Sequence, residues 1–200
     1  MRSRHRSVGR DAGFDQFDER RLVELARHDA GAFAALYRRY VDRIHAYAYR
    51  RTYSPSVADD VTAATFEKAL RGLDRYRWSP PGIGPWLFRI ASHELVDHHR
   101  KVGRERRIHE RLASIADARS ETAAFDDALG FDPELRAALD AIRPRYQRAL
   151  GLRFLADLSN EEAAAAMGVS RATMAVIVHR ALAAVRRRVD VTPNEGVENE

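Results

Sequence analysis

The chain has 200 residues, room for one ordinary domain or two small ones. With 45% hydrophobic and 32% charged residues it can bury a core, and its longest apolar runs, such as Ala163 to Met167, are too short to span a bilayer. The absence of cysteine excludes disulfides, thiolate catalysis and cysteine-bound metal centres, and fits a cytoplasmic location. The formal charge is +5, and of 34 basic residues only Lys68 and Lys101 are lysine. Arginine forks onto phosphates and guanine edges better than lysine does. A GC-rich coding sequence would also favour arginine and alanine, so position must decide.

In chain order, residues 1–13 read as a disordered basic arm. No apolar stretch follows it, so no secretory signal is expected. A short helix covers Arg21–Arg27. Asp29 is placed to cap a long helix from about Gly31 to Thr52, with Phe33, Leu36, Tyr37, Tyr40, Ile44, Tyr47 and Ala48 as its buried stripe. Ser54-Pro55 opens the next helix, whose apolar face is Val57, Val61, Ala64 or Thr65, Phe66, Ala69 and Leu70. Residues 72–85 hold three prolines and three glycines and form a shaped loop. Gly84-Pro85 opens a helix reaching about Leu112. Residues 114–131 lose periodicity and turn acidic, as a linker would. Asp132-Pro133 restarts helix, and Pro144 separates two short segments. Ser159-Asn160-Glu161-Glu162 is a capping box, and Ser170 caps a last helix running to about Val189. Residues 190–200 form an acidic, frayed tail. The expected fold is all-α: a first domain over 14–113 and, beyond the linker, a four-helix domain over 132–189.

Three groups of residues bear on chemistry. Residues 160–189 combine a short helix, Gly168 at a turn, a serine cap and a basic final helix, the pattern of a helix-turn-helix. Met174, Val178, Ala181, Leu182 and Val185 form its inner stripe. That leaves Arg171, Thr173, Ala175, His179 and Arg186 on the open side, with five arginines and no acid between Arg171 and Arg188. A helical hairpin in a bundle would not require that charge. Tyr76, Trp78 and Trp86 lie near Arg75, Arg77, Arg89, Arg100 and Lys101, and rings among arginines suit unstacked bases. Trp86 reads as core, whereas Tyr76 and Trp78 read as exposed. His93-Glu94-Leu95-Val96-Asp97-His98-His99 brushes against a zinc-protease pattern, yet it has Asp97 at the second ligand position and no third ligand downstream. Asp59 and Asp60 alone need no more than a favourable helix dipole.

Together these stretches resemble the extracytoplasmic-function (ECF, group IV) sigma factors of bacterial RNA polymerase, over roughly residues 15–189 in the family's order. The first domain carries the resemblance in Phe33 to Tyr40, Asp59-Asp60-Val61-Thr62 with Thr65-Phe66, Leu73 to Arg77, and Trp86 to Ala91 leading to Asp97-His98-His99-Arg100. The second carries it in Arg143 to Tyr146, Leu152-Arg153-Phe154, Leu158-Ser159 with Glu161-Glu162, Met167 to Ser170, and His179 to Leu182.

The resemblance implies a factor without cofactor, metal or catalysis of its own. Its implied partners are the polymerase core, through the largest-subunit coiled coil and the flap, and promoter DNA. An anti-sigma factor is a further candidate partner, and no membrane insertion is expected. Asp60, Val61, Thr62 and Phe66 would contact the polymerase. Tyr76, Trp78, Arg89, His93, Asp97, His98, Arg100 and Lys101 would capture and melt the −10 element. Ser170, Arg171, Thr173, Ala175, His179 and Arg180 would read the −35 element. The acidic linker would thread the polymerase's basic channels. The chain departs from the family at Ala63-Ala64, where Gln-Glu is usual, at His93, where asparagine is frequent, and at Ala175 and Ile177, where basic residues are common. Two rival readings are a stand-alone helix-turn-helix regulator, which leaves the first-domain motifs unused, and a metal hydrolase on His93, Glu94 and Asp97.

Overall fold

The computed structural model describes residues 13, 14, 16–113 and 133–189, with side chains described except at 103, 105–113 and 133. The expected arm (all but Gly13), the linker and the acidic tail lie outside the described residues. Among the described residues every regular element is helical. The chain divides into two compact units on either side of residue 117.

The first unit is built from α1 (Glu19–Ala26), α2 (Ala30–Thr52), α3 (Pro55–Gly72) and α4 (Gly84–Ala113). The caps explain the boundaries. Asp18 accepts from the Arg21 amide, and Asp29 accepts from the amides of Gly31 and Ala32. Tyr53 ends α2 in the left-handed region at φ 53°, and Ser54 caps α3 through the Val57 amide with Pro55 at its first turn. The core joins Leu22 and Val23 of α1, Leu36, Ile44 and Tyr47 of α2, Val61, Thr65 and Phe66 of α3, and Leu87, Phe88 and Leu95 of α4. Each aliphatic or phenylalanine side chain among them, fully buried, contributes about 1.5–3 kcal/mol. Tyr47 meets Phe88 edge-on, with ring centroids 5.6 Å apart, and its hydroxyl pairs with Ser92 Oγ at 3.2 Å. The inner face of α3 uses Thr65 rather than Ala64, and Leu70 is 54% exposed rather than buried. Tyr37 is likewise turned outward from the stripe expected of α2, with its ring on Phe66.

The segment between α3 and α4 begins with a single 3-10 turn over Leu73–Arg75 and contains a cis peptide at Pro80-Pro81. Contrary to the sequence expectation, Tyr76 is buried. Its ring lies 5.0 Å from the half-buried Trp86 ring, and its hydroxyl donates to Gly82 O at 3.1 Å. Burial, then the Glu19 carboxylate, push the Tyr76 phenol above its ordinary value of 10.0, against a smaller opposing effect from the Ser79 backbone.

The second unit is built from α5 (Pro133–Ala141), α6 (Pro144–Leu150), α7 (Asn160–Met167) and α8 (Arg171–Val189). A wide turn over Gly151–Leu155 extends α6, with the Ala156 amide bonded to Gly151 O. All of α5, α6 and α7 pack on α8. Ile142 and Leu150 meet Ala181, Ala184 and Val185 in one cluster, and Met174 is fully buried further along α8. The inner stripe of α8 includes Ile177 at 5% exposure, whereas Leu182 is 47% exposed. That reverses the expected places of these two residues. The 3.6-residue period passes within one position of both, and only the neighbours decide.

Two predictions follow from the caps and from the buried phenol. Ser159 and Glu162 form both halves of a capping box, and Gly168 closes α7 at φ 67° with open space where a Cβ would stand. Ser159→Ala is expected to cost about 1 kcal/mol. Gly168→Ala should cost about as much, through backbone strain alone. Urea melts would measure both. At Tyr76 the folded state binds the phenolic proton more tightly than the unfolded chain does. The corresponding stability is complete below pH 10.0 and is lost as pH rises through the folded-state value. Tyr76→Phe should flatten that alkaline loss while costing about 0.5–1.5 kcal/mol at neutral pH for the missing bond. Melts at neutral and strongly alkaline pH would reveal it, and equal alkaline slopes in both proteins would contradict it.

Candidate nucleic-acid and polymerase interfaces

The helix-turn-helix geometry is set by α7, a three-residue turn and α8. The two helices bend by 95° at Gly168-Val169-Ser170, within the range of this motif. The Gly168 amide reaches Ala165 O and the Val169 amide reaches Ala164 O, closing α7. Ala163, Ala164 and Ala166 are buried, and their small side chains let α7 lie close to its neighbours. Ser170 Oγ accepts from the Thr173 amide at 3.1 Å and pairs with Thr173 Oγ1 at 2.8 Å. Both hydroxyls therefore serve the cap as well as the open face. Asn160 Nδ2 donates to Arg171 O at 3.1 Å, and Arg171 faces Glu161 at 3.7 Å.

Arg171, Thr173, Ala175, His179 and Arg180 are all exposed, together with Ala172 and Val176. The structure thus gathers the −35 candidates on one open side of α8. Ile177 lies on the other side, so the departure from the family pattern at 177 removes nothing from the open face.

On α4 the buried positions Leu87, Phe88, Ala91, Ser92 and Leu95 leave Arg89, His93, Asp97, Arg100, Lys101 and Arg104 exposed. Arg89, His93, Asp97, Arg100 and Arg104 recur every three or four residues, so they form one outward stripe. Asp97 faces Arg100 at 3.6 Å, and the half-buried His98 lies against His99 with centroids 6.2 Å apart. Trp78 is half-buried in the preceding loop, and Tyr76 supports that loop from within. Glu94 is bonded to Lys68 of α3, so the carboxylate of the metal-like pattern is engaged in a helix-to-helix contact. Among the described residues no group of three His, Cys, Asp or Glu side chains could hold a metal ion.

The polymerase candidates on α3 divide. Asp60 is exposed, while Val61, Thr62 and Phe66 are 4%, 5% and 5% exposed. Thr62 Oγ1 donates to Ala58 O at 2.7 Å, inside its own helix. These three residues shape the helix from beneath, and its outward surface includes Asp59, Asp60, Ala63, Glu67 and Leu70. Asp59 faces His45 of α2 at 3.1 Å.

The sequence pattern gives no long-range role to Glu19 or Arg27, and it places Asn160 and Glu161 only within the capping-box run. Glu19 and Arg27 act on residues 64 and 49 positions away, and no local pattern signals that.

Among the described residues no single helix is long and apolar enough to cross a membrane. Residues 36–105 match the Sigma-70 region 2 family, and residues 133–185 match Sigma-70, region 4. The chain is 30% identical over 177 residues to the ECF RNA polymerase sigma factor BldN of Streptomyces coelicolor, covering 85% of this chain and 66% of BldN. It is 33% identical over 150 residues to the ECF RNA polymerase sigma factor SigE of Mycolicibacterium smegmatis, covering 72% of this chain and 56% of SigE. It is 31% identical over 159 residues to the RNA polymerase sigma factor CarQ of Myxococcus xanthus, covering 74% of this chain and 84% of CarQ. The chain thus spans about two thirds or less of the length of BldN and SigE.

Its fold is similar to that of CnrH, solved in complex with the cytosolic domain of CnrY, at TM-score 0.60 and 23% identity over 87% of this chain and 98% of CnrH. It is also similar to the sigma factor RpoE of Bartonella quintana, solved with the anti-sigma factor NepR. There the TM-score is 0.55 at 24% identity, over 80% of this chain and 98% of RpoE. The sigma-70 families are not a class of enzymes, and the chain, carrying regions 2 and 4 in order with an all-helical fold, belongs to the ECF group of RNA polymerase sigma factors.

Proposed function

We propose that this chain directs core RNA polymerase to promoters, reading the −35 element with α8 and capturing and melting the −10 element with the loop before α4 and the outer stripe of that helix. It does so in the cytoplasm and has no catalytic step of its own. The observation that carries the reading is the α7–α8 corner, whose buried stripe turns Arg171, Thr173 and Ala175 outward at the N-terminal end of α8. In this motif that end of the recognition helix reaches base edges. Arg186, Arg187 and Arg188 lie roughly 22–26 Å further along the axis and can serve only phosphate.

On α3 the polymerase meets Asp60 and its exposed neighbours, with Val61, Thr62 and Phe66 holding the helix in shape. The tied loop and the basic stripe on α4 suit single-stranded DNA, a ring taking the base and arginine the phosphate. A stand-alone helix-turn-helix regulator would have no use for residues 36–105, which match region 2. CnrH and RpoE were each solved with a bound protein, RpoE with an anti-sigma factor. We infer an anti-sigma factor as the matching regulator of this chain. Run-off transcription by bacterial core polymerase with and without the chain tests the whole reading. Equal transcript from cognate promoters in both would refute it.

Three substitutions separate its parts. Asp60→Arg reverses an exposed charge without touching the core, and like charges at an interface cost several kcal/mol, so co-purification with core polymerase should be lost. Arg171→Ala should cost about 1–3 kcal/mol and relax preference at one −35 position, whereas Arg187→Ala should weaken all sequences alike or none. A promoter library selected with wild type and both variants decides. A changed preference in Arg187→Ala alone would mean α8 docks in the opposite sense.

A further inference from the structure

We propose that Glu19 of α1 is a positioning residue for promoter opening, acting with Arg27 to hold the loop that presents Trp78. The proposal rests on reading that loop as part of the −10 site. Glu19 Oε1 accepts from Tyr40 Oη at 2.9 Å and from the Ile83 amide at 2.9 Å. Ile83 O in turn accepts from the Trp86 and Leu87 amides, so the carboxylate sits on the start of α4. Gly82 has φ 108°, and a Cβ there would stand 3.0 and 3.2 Å from the two Glu19 oxygens. Only glycine suits both that backbone and that approach. At the other end of the loop, Arg27 Nη2 donates to Tyr76 O at 2.9 Å. Tyr76 closes the ring by donating its hydroxyl to Gly82 O.

Residues 77–81, with Trp78 among them, are therefore strung between two anchors, Tyr76 and Gly82-Ile83, and each anchor is tied to α1. The helix itself is fixed by Leu22, Val23 and Ala26, which are 0%, 1% and 4% exposed. A stacking platform helps an unpaired base only if it stands in place before the base arrives; otherwise each encounter must also order the loop. Loosening these ties should thus affect strand capture and leave duplex binding through the second unit alone.

The test uses the full chain labelled with 5-fluorotryptophan. Its two tryptophans give two fluorine resonances, and Trp78→Phe assigns them. In Glu19→Ala the Trp78 resonance should shift and narrow, and permanganate reactivity of the −10 region should fall about tenfold, while closed-complex formation stays at the wild-type level. Glu19→Gln should restore both readings, because its amide oxygen can still accept from Tyr40 and from the Ile83 amide. If Glu19→Ala does not fold, Arg27→Leu removes the other tie, and the same mobility at Trp78 is expected.

An unchanged Trp78 resonance in both Glu19→Ala and Arg27→Leu would overturn the proposal. So would normal opening by a variant with a loosened Trp78, provided Trp78→Ala opens poorly. If Trp78→Ala itself opens normally, the reading of the loop as a −10 element fails, and the positioning role fails with it.

Discussion

Each long helix here has one apolar stripe, and burying that stripe decides where every other side chain on the helix points. On α4, Leu87, Phe88, Ala91 and Leu95 occupy the core, so Arg89, His93 and Asp97 have no direction left but outward. On α8, Met174, Ile177 and Ala181 do the same and free Arg171, Thr173 and Ala175. Burial of these side chains supplies most of the stabilising free energy, and no exposed contact competes with it. The ion pairs on these faces, such as Asp97 with Arg100 and Glu161 with Arg171, are largely exposed and contribute little to stability.

Polar bonds matter most where burial cannot determine conformation. In the loop between α3 and α4, Leu73, Tyr76 and Ile83 are buried, and the path of the residues between Tyr76 and Gly82 is held by hydrogen bonds from Glu19, Arg27 and Tyr76. The turn between α7 and α8 is likewise shaped by the left-handed Gly168 and by the Ser170 cap. Both irregular segments adjoin the surfaces proposed to meet DNA. A rigid helical frame with polar-tied connections lets each connection carry recognition without disturbing the core.

Burial divides the residues that the resemblance brought together on α3 as polymerase candidates. Asp60, Val61, Thr62 and Phe66 fall on one helix, as the resemblance implied, yet three of the four are core. A motif collects residues that keep a surface in shape together with residues that touch a partner. Burial is the observation that separates them. The same separation applies at Tyr76 and Trp78, two aromatics in one loop of which only Trp78 retains an open side.

Local chemistry made much of this protein legible from its residues alone. Asp29, Ser54, Ser159 and Ser170 mark helix starts because a side-chain oxygen meets an otherwise unpaired amide within three residues. The all-helical class, the helix order and the helix-turn-helix follow from such signals and from the apolar period, all short-range. Tertiary structure alone decided the rest. Whether Ile177 or Leu182 enters the core depends on what α5, α6 and α7 place opposite α8, which no window of the sequence contains. Tyr76 is buried because Gly82, Trp86 and Arg27 converge on it, and Glu19 reaches the start of α4 across 64 residues. Periodicity fixes a direction only to within about one residue around a helix, and long-range hydrogen bonds leave no local trace. These are the features that only the folded chain reveals.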